Sequence, residues 1–148
     1  MIAVACDHTG FDLKPHVIAV LEEMGYPFKD FGTFSRESVD YPLYGKLAAE
    51  AVASGECELG IILCGTGQGI GISANKVHGV RCCICSDPYS ARMGREHNDA
   101  NMLAMGARVV GGGLAGMIVR TFLTSAFLGE RHARRVAQIN EMDDRYHS

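Results

Sequence analysis

Several signatures are missing from this 148-residue chain, and each absence removes a class of function. No stretch approaches the ~20 consecutive apolar residues of a membrane span, and the first residues lack the basic and small-residue flanks of a signal peptide, so the expected compartment is the cytoplasm. The formal charge is only −3, which leaves no electrostatic footprint for nucleic acid or an anionic membrane surface. Six cysteines are present, but Cys82-Cys83-Ile84-Cys85 has no second Cys or His pair at zinc-ligand spacing, and neighbours on a strand point to opposite faces. No metal is expected. Most of these thiols read as reduced, buried strand residues.

What is there fits one compact domain over residues 1–148, with 47 % hydrophobic and 21 % charged residues. Strands and helices alternate. Ile2 to Cys6 is a short apolar strand; Leu13, Val17, Ile18 and Leu21 then recur at helical spacing until Gly25. Tyr26 to Phe31 predicts a second strand, followed by a polar loop to Asp40 and a helix opened by Pro42 with Leu43, Leu47, Ala48 and Ala51 inward. Leu59 to Cys64 predicts the third strand, running into a glycine loop and a helix through Asn75. Val80 to Cys85 predicts the fourth, before a helix started by Asp87-Pro88. Asn101 to Met105 predicts the fifth; Gly111 to Gly113 reads as a flexible joint before an apolar helix from Leu114 to Leu123.

Solid apolar strands, each followed by a helix, imply a parallel sheet covered on both faces: a doubly wound, Rossmann-like α/β fold of three layers. A last amphipathic helix from about Glu130 to Arg145 has no obvious place in it and is expected to pack on a partner subunit, as a dimerisation helix. Ligands in such sheets bind beyond the carboxyl ends of the strands, where Asp7, His8, Cys64, the glycine loop and Asp87 all fall.

Cys64-Gly65-Thr66-Gly67-Gln68-Gly69 carries the chemistry. A glycine-rich strand-to-helix turn offers a fan of amides and a helix N-terminus, which welcome phosphate or a developing oxyanion and favour thiolate over thiol. The spacing is neither the dinucleotide G-x-G-x-x-G nor a Walker loop, although Asp87 lies about where a ribose-binding acid would. The small cysteine phosphatases need an arginine six residues after the thiol, and Ile70 stands there. Bland alternatives stay open at this point: a structural turn and an inert thiol at Cys64, a helix cap at Asp7, a dipole-stabilised C-terminal imidazole at His97, and a solvated face, rather than a phosphate grip, for Arg131-His132 and Arg134-Arg135.

Taken in order, Cys6-Asp7-His8-x-Gly10, Asp40-Tyr41-Pro42, Cys64-Gly65-Thr66-Gly67-x-Gly69-Ile70, Ala74-Asn75-Lys76, Arg95-Glu96-His97-Asn98-Asp99-Ala100-Asn101 and Gly129-x-Arg131-His132-x-x-Arg135-Val136 resemble the ribose-5-phosphate isomerase B family, which includes the galactose-6-phosphate isomerase subunits. The resemblance spans essentially the whole chain. It implies an aldose–ketose isomerase without metal or cofactor that interconverts ribose 5-phosphate and ribulose 5-phosphate. It also implies a homodimer or homotetramer whose active sites are shared between subunits.

On that resemblance Cys64 is the base, and the amides of Gly65, Gly67, Gln68 and Gly69 hold the enediolate. Thr66 and His97 assist ring opening; Asp7, Tyr41 and Asn98 bind hydroxyls; His8, Arg108, Arg131 and Arg135 bind phosphate. Some members carry a glutamate base just after the loop. Ile70 occupies that position here, so the chain is of the cysteine type. The other readings are an isomerase of a six-carbon sugar phosphate, allose or galactose 6-phosphate, and a non-catalytic phosphosugar- or nucleotide-binding module.

Overall fold

The computed structural model describes residues 1–147. Five strands, β1 (Ile2–Cys6), β2 (Phe28–Asp30), β3 (Leu59–Cys64), β4 (Cys82–Ile84) and β5 (Met102–Gly106), form one sheet in the order β2-β1-β3-β5-β4, with every neighbouring pair parallel. The direction in which successive strands are added to the sheet reverses between β1 and β3. That is where a doubly wound sheet opens a crevice at its carboxyl edge.

The helices are α1 (Lys14–Met24), α2 (Tyr41–Ala53), α3 (Gln68–Asn75), α4 (Pro88–Asn98), α5 (Gly112–Thr124) and α6 (Arg131–His147). Strand alternation sorts the core into two layers. Val4, Ile61, Leu63, Leu103 and Met105 face α1, α4 and α5, where Val17, Leu21, Ile118 and Phe122 meet them. Ala3, Ala5, Ile62, Cys64 and Ala104 face α2 and α3, packing on Ala48, Ala49, Ile70 and Ala74. The second layer is built from small residues, so α2 and α3 lie close to the sheet and draw the glycine loop down onto it.

The expected strand and helix order holds throughout, with shifts of one to a few residues at element ends. Two readings need correction. Leu43 and Leu47 are 55 % and 37 % exposed, whereas Ala48 and Ala51 are buried. The helical period was right, but the buried stripe of α2 runs through its alanines because only small side chains fit against Ile70 and the sheet. Gly112 and Gly113 are not a flexible joint; they form the first turn of α5.

The last helix does find a place on its own chain. His132 and Val136 are buried where α6 packs against α4. Farther along, the Gly79 amide donates to Asp143 at 2.7 Å and His78 meets Asp144 at 2.8 Å. Met142 and Tyr146 remain exposed.

Candidate active site

At the crevice between β1 and β3, a cleft of about 310 Å³ is lined by Asp7, Thr9, Tyr41, Cys64, Gly65, Thr66, Gly69 and Arg108. Cys64 ends β3, only 5 % exposed, and its Sγ accepts the amide of Gly67 at 3.1 Å. That contact is possible because Gly67 has φ 83° and turns its N–H back toward the sulfur. The next amides, of Gly69 and Ile70, belong to the first turn of α3 and have no intrahelical acceptor. A buried sulfur beside aligned, uncommitted N–H groups is suited to hold negative charge on the sulfur or on an oxygen next to it.

The sequence folds this way because glycine stands wherever backbone approaches backbone. A Cβ on Gly10 would sit 2.5 Å from the Leu63 carbonyl oxygen, so the turn after β1 crosses directly over the end of β3. A Cβ on Gly69 would meet the Tyr41 ring at 2.5 Å, so that ring closes one wall of the cleft. From β5, the amides of Ala107 and Arg108 donate to the carbonyls of Cys64 and Gly65 at 2.9 and 3.0 Å. The loop is thus clamped from three directions.

Asp7, buried at 4 % exposure, spends Oδ1 on the amides of Thr9 and Gly10 and on the Thr9 hydroxyl, at 2.9, 3.0 and 2.6 Å. These bonds close the turn after β1 and not the helix, because α1 starts only at Lys14, with Leu13 at its N-cap and no side-chain cap, so the expected helix cap at Asp7 is corrected to a turn cap; none of them uses Oδ2. Thr66 Oγ1 accepts the Gln68 amide at 3.2 Å. Arg108 is exposed and makes neither an ion pair nor a side-chain hydrogen bond among the described residues. His8 Nδ1 accepts the Val39 amide at 3.2 Å, which in a neutral ring puts the proton on Nε2. The loop carrying Val39 is anchored at its start by buried Lys14, paired with Asp30 at 2.9 Å and bonded to the Thr33 carbonyl. Asp87, by contrast, caps α4 through Ser90, whose amide and hydroxyl hold its carboxyl below the usual range, and it lies outside the cleft.

The remaining named residues sit elsewhere. His97 and Asn98 end α4, and the chain then re-enters the sheet at Met102, level with Gly60, while Cys64 is level with Gly106. Four strand residues, roughly 13 Å, separate the two levels. Arg131 and Arg135 open α6 at that same amino edge, exposed and without ion-pair partners among the described residues. One chain therefore presents a thiol, an anion cradle and Arg108 at one edge, and two imidazoles with two free guanidinium groups at the other.

One residue of these clusters was not singled out from the sequence. Thr9 was legible as the hydroxyl of an Asp-x-Thr-Gly turn. His132, read with Arg131 as part of a solvated face or a phosphate grip, is instead buried: with Val136, at i, i+4, it forms the stripe of α6 that packs on α4.

Comparison with known proteins supplies the family. The sequence profile of the Ribose/Galactose Isomerase family matches residues 2–139. Ribose-5-phosphate isomerase B of Escherichia coli (strain K12) is 51 % identical over 144 residues, 97 % of each chain. The structure of Clostridium thermocellum ribose-5-phosphate isomerase B superposes with a TM-score of 0.96 at 54 % identity, covering 98 % of both chains. That of Mycoplasma genitalium ribose-5-phosphate isomerase B, solved with bound ribulose-5-phosphate, gives 0.92 at 34 % identity over 97 % of this chain and 95 % of that one. A Rossmann-like α/β fold with this cleft and these relatives defines an aldose–ketose isomerase of sugar phosphates. The chain belongs to the ribose/galactose isomerase family.

Proposed function

We propose that this chain interconverts ribose 5-phosphate and ribulose 5-phosphate through an enediolate, with Cys64 as the base. The observation that carries the reading is the buried Cys64 sulfur on the Gly67 amide, facing the cleft beside the first turn of α3. A proton α to a carbonyl is weakly acidic, so its removal needs a base in reach and donors aimed at the oxygen that becomes anionic. The thiolate takes the C2 proton, the C–H electrons form the C1–C2 double bond, and negative charge moves to O1 beside the loop amides. Return of the proton to C1, with O2 giving its proton to O1, leaves the ketose. The five-carbon sugar rests on the names of the relatives and on the ribulose-5-phosphate bound by one of them.

His97, Asn98, Arg131 and Arg135 are the ring-opening and phosphate half of the site, and they reach the cleft from a second copy of the chain. Two features support this. The two clusters lie at opposite edges of one sheet, and α2 and α3, which line the cleft with Tyr41 and Gly69, also expose Leu43, Leu47 and Ile72. Such a face is suited to bury itself on a partner. Arg108 on one side and Arg131 with Arg135 on the other would then hold the phosphate.

The test separates ring opening from proton transfer. A four-carbon aldose phosphate with its phosphate on the terminal hydroxyl closes no stable ring, so erythrose 4-phosphate needs the base but no ring opener. His97→Ala should lose far more activity on ribose 5-phosphate than on erythrose 4-phosphate, while Cys64→Ala loses similar factors on both. Equal losses for His97→Ala on the two sugars would refute this division of labour.

A further inference from the structure

Away from the cleft, two titratable rings make an unusual contact. The imidazoles of His97, in the last turn of α4, and His132, in the first turn of α6, stack with centroids 4.1 Å apart and planes 10° from parallel. Aromatic pairs left to themselves favour offset or edge-to-face arrangements, so a near-parallel stack this close is held by its surroundings. The Leu128 amide donates to the Glu96 carbonyl at 3.0 Å, Val136 is buried on the same stripe of α6, and His132 itself is only 7 % exposed. Rings stacked face to face cannot hydrogen-bond each other. Their four nitrogens point outward in the ring planes, and none has a partner among the described residues.

The charges around the pair are unequal. On α6 and its lead-in stand Arg131, Arg135 and Glu130; on α4, Arg92 is paired with Glu96 at 2.7 Å and Arg95 with Asp99 at 3.0 Å. Burial first, then the positive charges of His97, Arg131 and Arg135, hold the His132 imidazole below its ordinary range, with Glu130 alone opposing. Two imidazolium rings 4.1 Å apart would repel each other.

We propose that His132 is the positioning residue of His97: a ring that holds the ring-opening imidazole by its face and leaves both His97 nitrogens for the sugar. The inference rests on His97 acting as the ring opener, as read above. It explains why a histidine is buried in the contact between α4 and α6, where an aliphatic residue would fill the space without polar atoms to satisfy.

The test compares wild type, His97→Ala, His132→Ala and His132→Phe, each checked for its melting temperature and assayed for kcat and KM on ribose 5-phosphate and erythrose 4-phosphate. His132→Ala should lose about 10-fold in kcat on ribose 5-phosphate, between the worth of an aromatic stack and the ~10²-fold cost of a 1 Å misplacement. Its KM should stay within about 2-fold, since phosphate contacts are untouched, and its activity on erythrose 4-phosphate should hardly change. His132→Phe, which keeps the ring and loses the nitrogens, should recover most of the kcat; if the alanine variant does not fold, His132→Leu takes its place as the ring-less comparison. Full kcat in the ring-less variant while His97→Ala is impaired, or a phenylalanine no better than it, would overturn the positioning role while leaving the function of His97 standing. A fully active His97→Ala would overturn the ring-opening reading itself, and this inference with it.

Discussion

Replacing Gly106 with alanine would drive a methyl group into the glycine loop from below. An ideal Cβ at this last residue of β5 lies 2.6 Å from the Gly65 carbonyl oxygen, and closer still to the Thr66 Cα and carbonyl carbon. Ordinary contact begins at 3.4 Å, so backbone must yield by at least about 0.8 Å. No flexible side chain can absorb this, and the bonds from Ala107 and Arg108 to Cys64 and Gly65 tie the two segments together at the point of collision. Overpacking of this kind costs ~1–3 kcal/mol, which for a chain of this size lowers the melting temperature by roughly 2–12 °C. The catalytic effect should be larger in proportion, because a base displaced by close to 1 Å loses ~10²-fold. Steady-state kcat on ribose 5-phosphate, set beside a thermal melt, reads both quantities. Gly69→Ala is the control: its Cβ meets the Tyr41 ring, 40 % exposed and free to swing outward, so it should mainly raise KM. A Gly106→Ala enzyme with kcat within 2-fold of wild type and an unchanged melt would refute the argument that the loop is seated on β5.

Cys64→Ala should lower kcat by ~10²–10⁴ with little change in stability, the usual contribution of a positioned base, and Cys64→Ser should be almost as poor because a hydroxyl ionises far above neutrality; near wild-type turnover would make the thiol a packing residue. Arg131→Ala and Arg135→Ala should each raise KM for the phosphorylated sugar by roughly 10- to 150-fold, the loss of one charge-assisted hydrogen bond, and an unchanged KM in both would return them to a solvated face. Burial pushes the Cys6 thiol up from 9.0 to about 11. An acid raised on folding stabilises fully below its unfolded value and loses that contribution as pH rises through the folded one, so stability measured by denaturant should fall between pH 9 and about 11. Cys6→Ala should flatten that slope, and an equal slope in the variant would remove Cys6 as its source.

The fold was legible because the evidence for it is local and repeated: apolar runs of strand length such as Ile2 to Cys6 and Leu59 to Cys64, each followed by helical periodicity, leave a parallel sheet as the economical arrangement. The inward face of α2 was not, since periodicity marks Leu43 and Ala48 alike as apolar and only the sheet-to-helix distance decides which is buried. Cys64 and its loop were readable as chemistry because glycine spacing has a direct backbone meaning. The separation of His97 from Cys64 has no such signature. It follows from the helix direction in a parallel crossover, where every helix that starts at the carboxyl edge must end at the other, and it emerges only once strand register is known. The burial of His132 was unreadable for a related reason: it stacks on a ring thirty-five positions away in the chain.

The two-ended layout has a consequence for inheritance. If each working site joins the carboxyl edge of one chain to the amino edge of another, a chain ruined at Cys64 and a chain ruined at His97 are defective in different halves. In a symmetric pair made of one of each, one site collects both lesions and the other collects none. Two alleles that are separately null would then restore growth together, at about a quarter of full activity for random pairing. Two null alleles carrying lesions at the same edge, such as Cys64 with Gly106, would never rescue one another.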